Sequence, residues 1–342
     1  MKELVVSNDC LHDKQRLRQR MASDGYLFFR RLIDAQRLLD LRAQMMAVLQ
    51  AAGWIKAGTN PSLGIATEGV QCTEGDLEYS NVYHQVYRLQ SFHETGHCPE
   101  IMETVEKIQG CPMLAQPQKV ARLWFPNYTH HTTPTHQDFV HFQGSYDNLT
   151  CWSPIGDCPR ELGGLAVLKG SHKIATVLDH HFSLGAGSLH LDPAHHNDLS
   201  DEWLTTDYEI GDTLIFPALT IHKALPNLTD DRLRISLDNR YQRQTDPIAE
   251  HMLQPHLNIF KNFTWEQIYE DWTDDRLQYY WKSLGLQVIP RIMDYLEKGF
   301  DEAIKLAQKG DPDAKLHLRR TIERDPESPQ AHRAMLVFSK QL

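Results

Sequence analysis

The chain has 342 residues, enough for one large domain or for one domain with an appended segment. Hydrophobic residues make up 41% of the chain and charged residues 23%, a composition that argues against a disordered or fibrous protein. The net charge of −10 argues against nucleic acid as a partner, since nucleic-acid-binding proteins carry strongly basic surfaces.

Hydropathy and cysteine content indicate where the protein acts. No apolar run approaches the roughly 18 residues of a spanning helix, so we expect no membrane partner. Residues 1–20 are polar where a secretory signal would be apolar. The six cysteines form no Cys-x-x-Cys pair, which predicts neither a disulfide framework nor a structural zinc site. We therefore expect a cytoplasmic protein.

The first hundred residues are predicted to be mainly helical around one short strand. Residues 25–33 are aromatic and apolar, which indicates a strand that enters the core. Residues 34–53 carry apolar side chains at helical spacing between Asp34, a suitable N-cap, and a terminal glycine. Residues 99–110 form a second, shorter helix by the same criteria. Residues 54–96 have no clear period, and no element is assigned to them.

Short apolar runs then alternate with turn signals across residues 117–243, which predicts an antiparallel sandwich or barrel. A Gly-, Ser- and His-rich segment, 183–202, interrupts this pattern and is predicted to be a surface loop, a common place for functional residues. Helical periodicity returns beyond residue 250. We therefore expect a domain over residues 1–250 and a helical C-terminal extension over 251–342, packed on the domain or appended to it.

The stretch THQDFVHF contains a candidate pair of metal ligands. His136 and Asp138 are two residues apart, so on a strand they would point to the same face. Chance is a competing explanation, because the chain has 19 histidines and a second such triplet at 190–192, in a Gly-rich segment before Pro193. Oxygenase iron commonly takes two histidines and one carboxylate. His222, at the end of an apolar strand, is the candidate third ligand.

The next strand carries basic residues suited to an organic anion. A 2-oxo acid can supply the electrons that an iron oxygenase needs, and its distal carboxylate is best matched by an arginine that binds in a bidentate manner. Arg232, Arg234 and Ser236 lie at alternate positions after His222 and so share one strand face. An exposed charged face is the alternative explanation for this pattern.

Several motifs in order resemble a known family. They are THQD, CWSPIGDCPRELGGLAVLKGSHK, IGDTLIFPALTIHKALPN and RLRISLDNRYQ, with SDGYLFFRRLID near the start. Over roughly residues 20–245 the chain resembles the phytanoyl-CoA dioxygenase-like branch of the Fe(II)/2-oxoglutarate oxygenases. The resemblance implies a mainly β core, a double-stranded β-helix or jelly-roll of two facing sheets, with N-terminal helices and the C-terminal extension around it.

The resemblance also implies roles for single residues. Three match the iron ligands and catalytic centre of the family: His136, Asp138 and His222. Trp152 matches an aromatic residue of the 2-oxoglutarate pocket, although on its own a strand tryptophan would be assigned to the core. Arg234, in an Arg-x-Ser arrangement with Ser236, resembles the 2-oxoglutarate clamp, and Arg232 is the alternative. The carboxylate at 138 favours oxygen insertion over halogenation. Three glycines of the second motif are expected to form backbone turns: Gly163, Gly164 and Gly170.

These observations predict an Fe(II)/2-oxoglutarate-dependent dioxygenase that hydroxylates a small organic molecule, with release of succinate and CO2. Its partners would be the substrate, 2-oxoglutarate and O2, ascorbate can support activity, and the protein would be a monomer or homodimer. One alternative keeps the cofactors but leads to desaturation, epoxidation or cyclisation. Others are a non-catalytic jelly-roll binding module and a cupin-like isomerase with another divalent metal.

Substrate contacts are poorly encoded in the sequence. Nine residues are candidates for the pocket wall, although each is individually more often structural: Tyr83, His84, Gln85, Tyr87, Arg88, His130, His131, His141 and Phe142. On a regular strand His141 would point away from His136, because five residues separate the two. We therefore do not expect His141 to be a ligand.

Overall fold

The computed structural model describes residues 1–129, 131–196, 199, 201–258 and 263–339. The helices in this part are α1 (Lys14–Asp24), α2 (Ala35–Ala51), α3 (Leu77–Tyr87), α4 (Gln90–Thr95), α5 (Pro99–Gln109), α6 (Phe139–Phe142), α7 (Trp265–Tyr269), α8 (Asp294–Gln308), α9 (Pro312–Arg324) and α10 (Pro329–Ser339). The strands are β1 (Lys2–Glu3), β2 (Leu27–Phe29), β3 (Met113–Ala115), β4 (Ala121–Trp124), β5 (Leu149–Pro154), β6 (Leu165–Leu168), β7 (His181–Phe182), β8 (Leu189–His190), β9 (Trp203–Thr205), β10 (Thr213–Pro217), β11 (His222–Ala224), β12 (Arg234–Arg243), β13 (Ile248–Ala249) and β14 (Val288–Ile289).

Two sheets face each other at the centre. The larger has the order β2-β10-β5-β12-β3, with β4 also paired to β12, and all of its pairs are antiparallel. The smaller has the order β1-β9-β6-β11. Phe28 and Leu214 of the larger sheet pack in one buried cluster with Val167 and Leu204 of the smaller. This layered arrangement confirms the predicted jelly-roll with flanking helices.

The helices α2 to α5 contribute to the second, larger core. The expected helix at 34–53 is present, and the side chain of Asp34 accepts the backbone N–H of Arg37 as an N-cap. The helix expected at 99–110 ends at Gly110, whose φ of 78° is the left-handed conformation of a C-cap glycine. Both helices bury their apolar faces in this core.

Residues 54–96, left unassigned from the sequence, contain α3 and α4. Three tyrosines at every fourth position of α3 contact the backbone before and within β4. Four residues of a helix and two residues of a strand both advance by about 6–7 Å, so successive tyrosines reach every second strand residue. Each hydroxyl accepts one backbone N–H: Tyr79 that of Leu123, Tyr83 that of Ala121, and Tyr87 that of Lys119. Because these contacts depend on a distant strand, a search for local apolar periodicity does not find this helix.

The C-terminal segment is helical, as expected, and its last three helices share a small apolar cluster that includes Phe300, Leu318 and Val337. Before them, β14 pairs in parallel with β13 and so ties this segment to the end of the β core. The segment 183–202 contains β8, which pairs with β7; its residues 197, 198 and 200 lie outside the described residues. Within the described chain, no helix is both long and apolar enough to cross a membrane.

Gly163 and Gly170 provide a matched test of the turn glycines. Both have positive φ, 87° and 74°. A Cβ at Gly163 would lie 2.5 Å from the carbonyl oxygen of Leu225, whereas nothing lies within 4 Å of a Cβ at Gly170. We expect Gly170→Ala to cost about 1–2 kcal/mol of unfolding free energy from backbone strain alone, and Gly163→Ala to cost more because the clash adds to it. Urea titration of both variants measures this difference; equal losses would contradict the packing described.

Candidate active site

The two histidines of the candidate site are brought together by backbone pairing. His136 and His222 form an antiparallel bridge, in which each backbone N–H donates to the other residue's carbonyl oxygen, at 3.0 and 3.1 Å. Their ring centroids are therefore 4.2 Å apart. His222 begins β11, which places the pair at the edge of the smaller sheet, facing the space between the sheets.

Both imidazoles are held in the tautomer that a metal ion requires. His136 Nδ1 lies 2.7 Å from the carbonyl oxygen of Pro134, and His222 Nδ1 lies 3.0 Å from that of Thr220. Because a carbonyl oxygen only accepts, each Nδ1 carries the hydrogen and each Nε2 of the neutral ring presents a lone pair. Burial, together with the nearby His136, lowers the pKa of His222 to about 3, so this ring is neutral at physiological pH.

Asp138 directs one carboxylate oxygen at these lone pairs. Its Oδ1 lies 3.2 Å from His136 Nε2 and 3.5 Å from His222 Nε2. Its Oδ2 accepts hydrogen bonds from the hydroxyl of Thr150 and from Arg240 Nη2, the latter at 3.0 Å. Burial by itself would raise the pKa of Asp138, but the charge of the adjacent Arg240 outweighs it and holds this pKa well below its usual value. The side chain is therefore a carboxylate.

The donor set fits a divalent metal. One ligand atom from each of His136, Asp138 and His222 lies within 4.8 Å of the other two, and all three residues are buried. Two imidazole nitrogens and one carboxylate oxygen are the donors of mononuclear iron oxygenases. A cation among them would offset the mutual repulsion of three converging lone pairs. His190 and Asp192, the competing triplet, belong to no such cluster within the described residues, and Asp192 caps the backbone N–H of Ala194 instead.

The local structure around the pair differs from the sequence prediction. The strand expected at residues 136–142 is wrong: Asp138 has φ −61° and ψ −28°, and α6 follows it. The backbone N–H groups of His141 and Phe142 both donate to the carbonyl oxygen of Asp138, which closes a helical turn. The expectation that His141 points away from His136 is therefore also wrong, and the two ring centroids lie 5.3 Å apart.

Arg234 is a buried cation beside the same space. It is 1% exposed, and its Nη1 donates to Ser236 Oγ at 2.5 Å. The guanidinium carbon lies 3.6 Å from the ring centroid of Trp124 and 6.0 Å from that of Trp152. No carboxylate of the described residues forms an ion pair with it, and burial lowers its pKa to about 10. A buried guanidinium without an acidic partner is suited to an anionic ligand.

Arg232 is placed differently from Arg234. Its side chain is 40% exposed and pairs with Glu161, with Nη2 and Oε1 3.1 Å apart. It precedes the first residue of β12, so the strand alternation that was expected to align it with Arg234 does not extend to it. Of the two arginines, only Arg234 faces the cavity.

A cavity of about 950 Å³ joins these features. Its wall contains the His-Asp-His cluster, Trp152, Arg234 and Arg240. Arg240, which the sequence analysis missed, also pairs with Asp238 at 3.0 Å and lies 3.7 Å from the ring centroid of Phe142. The residues 234, 236, 238 and 240 alternate along β12. Extending the alternation from Arg234 would have found both Asp238 and Arg240.

Most of the expected pocket residues lie elsewhere. His141 and Phe142 line the cavity, and His131 lines a smaller adjoining one of about 310 Å³. The five candidates from α3 and its C-terminal end line neither: Tyr83, His84, Gln85, Tyr87 and Arg88. The hydroxyls of Tyr83 and Tyr87 are used by the backbone before and within β4, as described above. His130 lies outside the described residues.

The sequence is similar to a known protein family and to two curated hydroxylases. Residues 21–236 match the model of the family described as "Phytanoyl-CoA dioxygenase (PhyH)". The chain is 28% identical over 256 residues to the 1-deoxypentalenic acid 11-beta-hydroxylase of Streptomyces arenae, covering 71% of this chain and 86% of the relative. The enzyme of the same name from Streptomyces exfoliatus is 26% identical over 261 residues, covering 73% and 87%.

Similar solved structures include that of an epimerase. The epimerase SnoN, in complex with Fe3+, alpha ketoglutarate and nogalamycin RO, is 21% identical, covers 69% of this chain and 86% of its own, and has a TM-score of 0.49. The family match spans more than half of the chain and includes the ordered motifs except the end of the last one, so it confirms the resemblance seen in the sequence. The chain belongs to the phytanoyl-CoA dioxygenase (PhyH) family.

Proposed function

We propose that the protein is an Fe(II)/2-oxoglutarate-dependent dioxygenase that hydroxylates a small organic molecule. The observation that carries this proposal is the convergence of two Nε2 atoms and one carboxylate oxygen in a cavity that also contains an unpaired buried arginine. When bound, ferrous iron and 2-oxoglutarate supply the oxidation: O2 converts 2-oxoglutarate to succinate and CO2, and one oxygen atom enters a C–H bond of the substrate.

The protein's own residues hold and orient these groups. We assign His136, Asp138 and His222 to the iron, with Arg240 and Thr150 holding the carboxylate of Asp138 through its other oxygen. Orientation by such neighbours tunes the affinity of a metal site.

We assign the distal carboxylate of 2-oxoglutarate to Arg234 and Ser236. Their side chains are already hydrogen-bonded to each other, which fixes the guanidinium before the ligand arrives. Trp124 and Trp152 cover this guanidinium with aromatic surface. Burial of the arginine strengthens its attraction for an anion, because little water screens the charge.

Hydroxylation is the favoured outcome because the similar curated proteins are hydroxylases by name and because position 138 keeps its carboxylate. Those relatives act on 1-deoxypentalenic acid, a small organic acid, and the cavity of about 950 Å³ has room for a molecule of moderate size. We also propose a cytoplasmic location, since all six cysteines are free and five of them are buried.

Loss of either ligand from the THQD motif should abolish turnover. We expect His136→Ala and Asp138→Ala to reduce iron-dependent succinate formation to background, because two remaining donors hold the metal poorly. The fold should persist, since Arg240 keeps Asp238 as an ionic partner. Asp192→Ala, which removes the carboxylate of the competing triplet, is the matched control and should keep full activity. Full turnover by Asp138→Ala would contradict the assignment.

The two arginines should respond differently to removal. Arg234→Ala should raise the KM for 2-oxoglutarate by roughly 10–100-fold, the effect of losing charge-assisted hydrogen bonds of about 1.5–3 kcal/mol. Arg232→Ala removes a partly exposed pair with Glu161 and should change this KM little. Steady-state kinetics of succinate formation provide both values. A larger increase in Arg232→Ala would transfer the clamp to that residue.

Product mass separates hydroxylation from the alternatives. With a turned-over substrate, mass spectrometry should find a product heavier by one oxygen atom, with succinate formed in equal amount. A product lighter by two hydrogen atoms would indicate desaturation or ring closure. Conversion without consumption of 2-oxoglutarate would point to an isomerase, and absence of both turnover and 2-oxoglutarate binding to a binding module.

A further inference from the structure

Six polar side chains of the cavity wall have a buried atom without a hydrogen-bond partner in the described chain. Trp124, Arg234 and Arg240 belong to the sites already assigned, which leaves three others. Within the described chain, His141 Nε2, His251 Nδ1 and Arg291 Nε have no hydrogen-bond partner. All three residues line the main cavity. Buried polar atoms are normally paired, so unsatisfied atoms in residues that line a cavity point to a ligand or a water that completes this part of the wall. We call this trio the Arg291 subsite.

The Arg291 subsite lies next to the proposed iron ligands. The His141 ring centroid is 5.3 Å from that of His136. His251 Nε2 donates to the carbonyl oxygen of His141 at 2.8 Å, which leaves His251 Nδ1 as an acceptor. Burial and the charge of Arg291 lower the pKa of His251 to about 4, so this ring is neutral at physiological pH. A ligand group bound here would be anchored beside the metal.

Arg291 is a cation of the cavity wall that has no carboxylate partner in the described chain. Arg122 pairs with Glu74, and Arg240 pairs with Asp138 and Asp238. Two further arginines remain: Arg234, assigned to 2-oxoglutarate, and Arg324, which is an exposed residue with Glu74 and Asp76 near it. In the described chain no carboxylate forms an ion pair with Arg291, and burial alone lowers its pKa. A largely buried cation without an anion is unfavourable, so the wall is prepared for a negative ligand.

The backbone around Arg291 is tied to the helix that follows the metal motif. Gln143, directly after α6, donates to the carbonyl oxygen of Ile292 at 2.8 Å and accepts the backbone N–H of the same residue at 2.7 Å. The parallel pair of β13 and β14 holds the chain just before this point. Arg291 lies outside the family match, which ends at residue 236. These contacts attach the C-terminal segment that carries Arg291 to the part of the β core next to the metal motif.

We infer that Arg291 binds an oxyanion of the substrate, a carboxylate or a phosphate, and so restricts the enzyme to anionic molecules. This inference rests on the proposed function, since it places the anion in the same cavity as the iron site. The guanidinium donates to the anion, and a bridging water can donate one hydrogen to the anion and the other to His251 Nδ1.

Binding of matched probes to the full-length protein tests the assignment. The protein is loaded with zinc as an inert metal and with 2-oxoglutarate, and dissociation constants are measured by calorimetry for decanoate, decyl phosphate and decan-1-ol. We expect at least one anion to bind ten or more times more tightly than the alcohol, and the better anion identifies the group. Arg291→Gln should remove this preference without changing 2-oxoglutarate binding. Arg319→Gln, at an exposed arginine of α9, should behave like the wild-type protein.

The outcomes separate the two proposals. A wild-type protein that binds 2-oxoglutarate but shows no preference for an anion overturns the role of Arg291 and leaves the proposed function standing. Failure of the wild-type protein to bind 2-oxoglutarate counts against the proposed function itself. The melting temperature of ligand-free Arg291→Gln is a second readout, and it should not fall, because an unpaired buried charge is removed. A lower melting temperature with an unchanged anion preference would mark Arg291 as structural and overturn the inference.

Discussion

Two imidazole lone pairs and one carboxylate oxygen converge in a buried space. They repel one another, and a bound cation would offset this repulsion. The bridge between His136 and His222 sets the spacing of the two rings, and backbone carbonyls fix their tautomers. Arg240 and Thr150 keep Asp138 ionised and turned toward the rings. The facing sheets bring strands that are distant in sequence to one cavity, and so they place the residues of this cluster together.

The same principle extends outward from the metal site. Arg234 and Arg291 are both largely buried guanidiniums that no carboxylate of the described residues pairs with. The wall of one cavity therefore contains two positive charges that no carboxylate of the described residues neutralises. Such uncompensated charge lowers stability and is retained where a ligand supplies the missing anion. We propose that 2-oxoglutarate binds the first arginine and the substrate binds the second. Each anionic ligand then neutralises a buried charge that lowers stability when it is unpaired.

Sequence reasoning predicted the β core, α2, α5 and the residues that form the His-Asp-His cluster, because strand alternation, caps and ordered motifs are local signals. It failed at residues 138–142, since one aromatic and apolar helical turn has the same composition as a short strand. The wrong prediction that His141 points away from His136 was a consequence of the same error. The choice between Arg232 and Arg234 depended on where β12 begins, and the roles of Tyr79 and Arg291 depend on segments far away in the chain. Contacts of this kind have no local signature.

The most direct test is the position of the metal itself. Crystals grown anaerobically with ferrous iron and 2-oxoglutarate, measured at the iron absorption edge, would reveal the ion by anomalous scattering. The account predicts one strong peak about 2.0–2.2 Å from His136 Nε2, Asp138 Oδ1 and His222 Nε2, distances typical of transition-metal ligands. A peak elsewhere, or an ion that leaves any one of these three side chains uncoordinated, would contradict it.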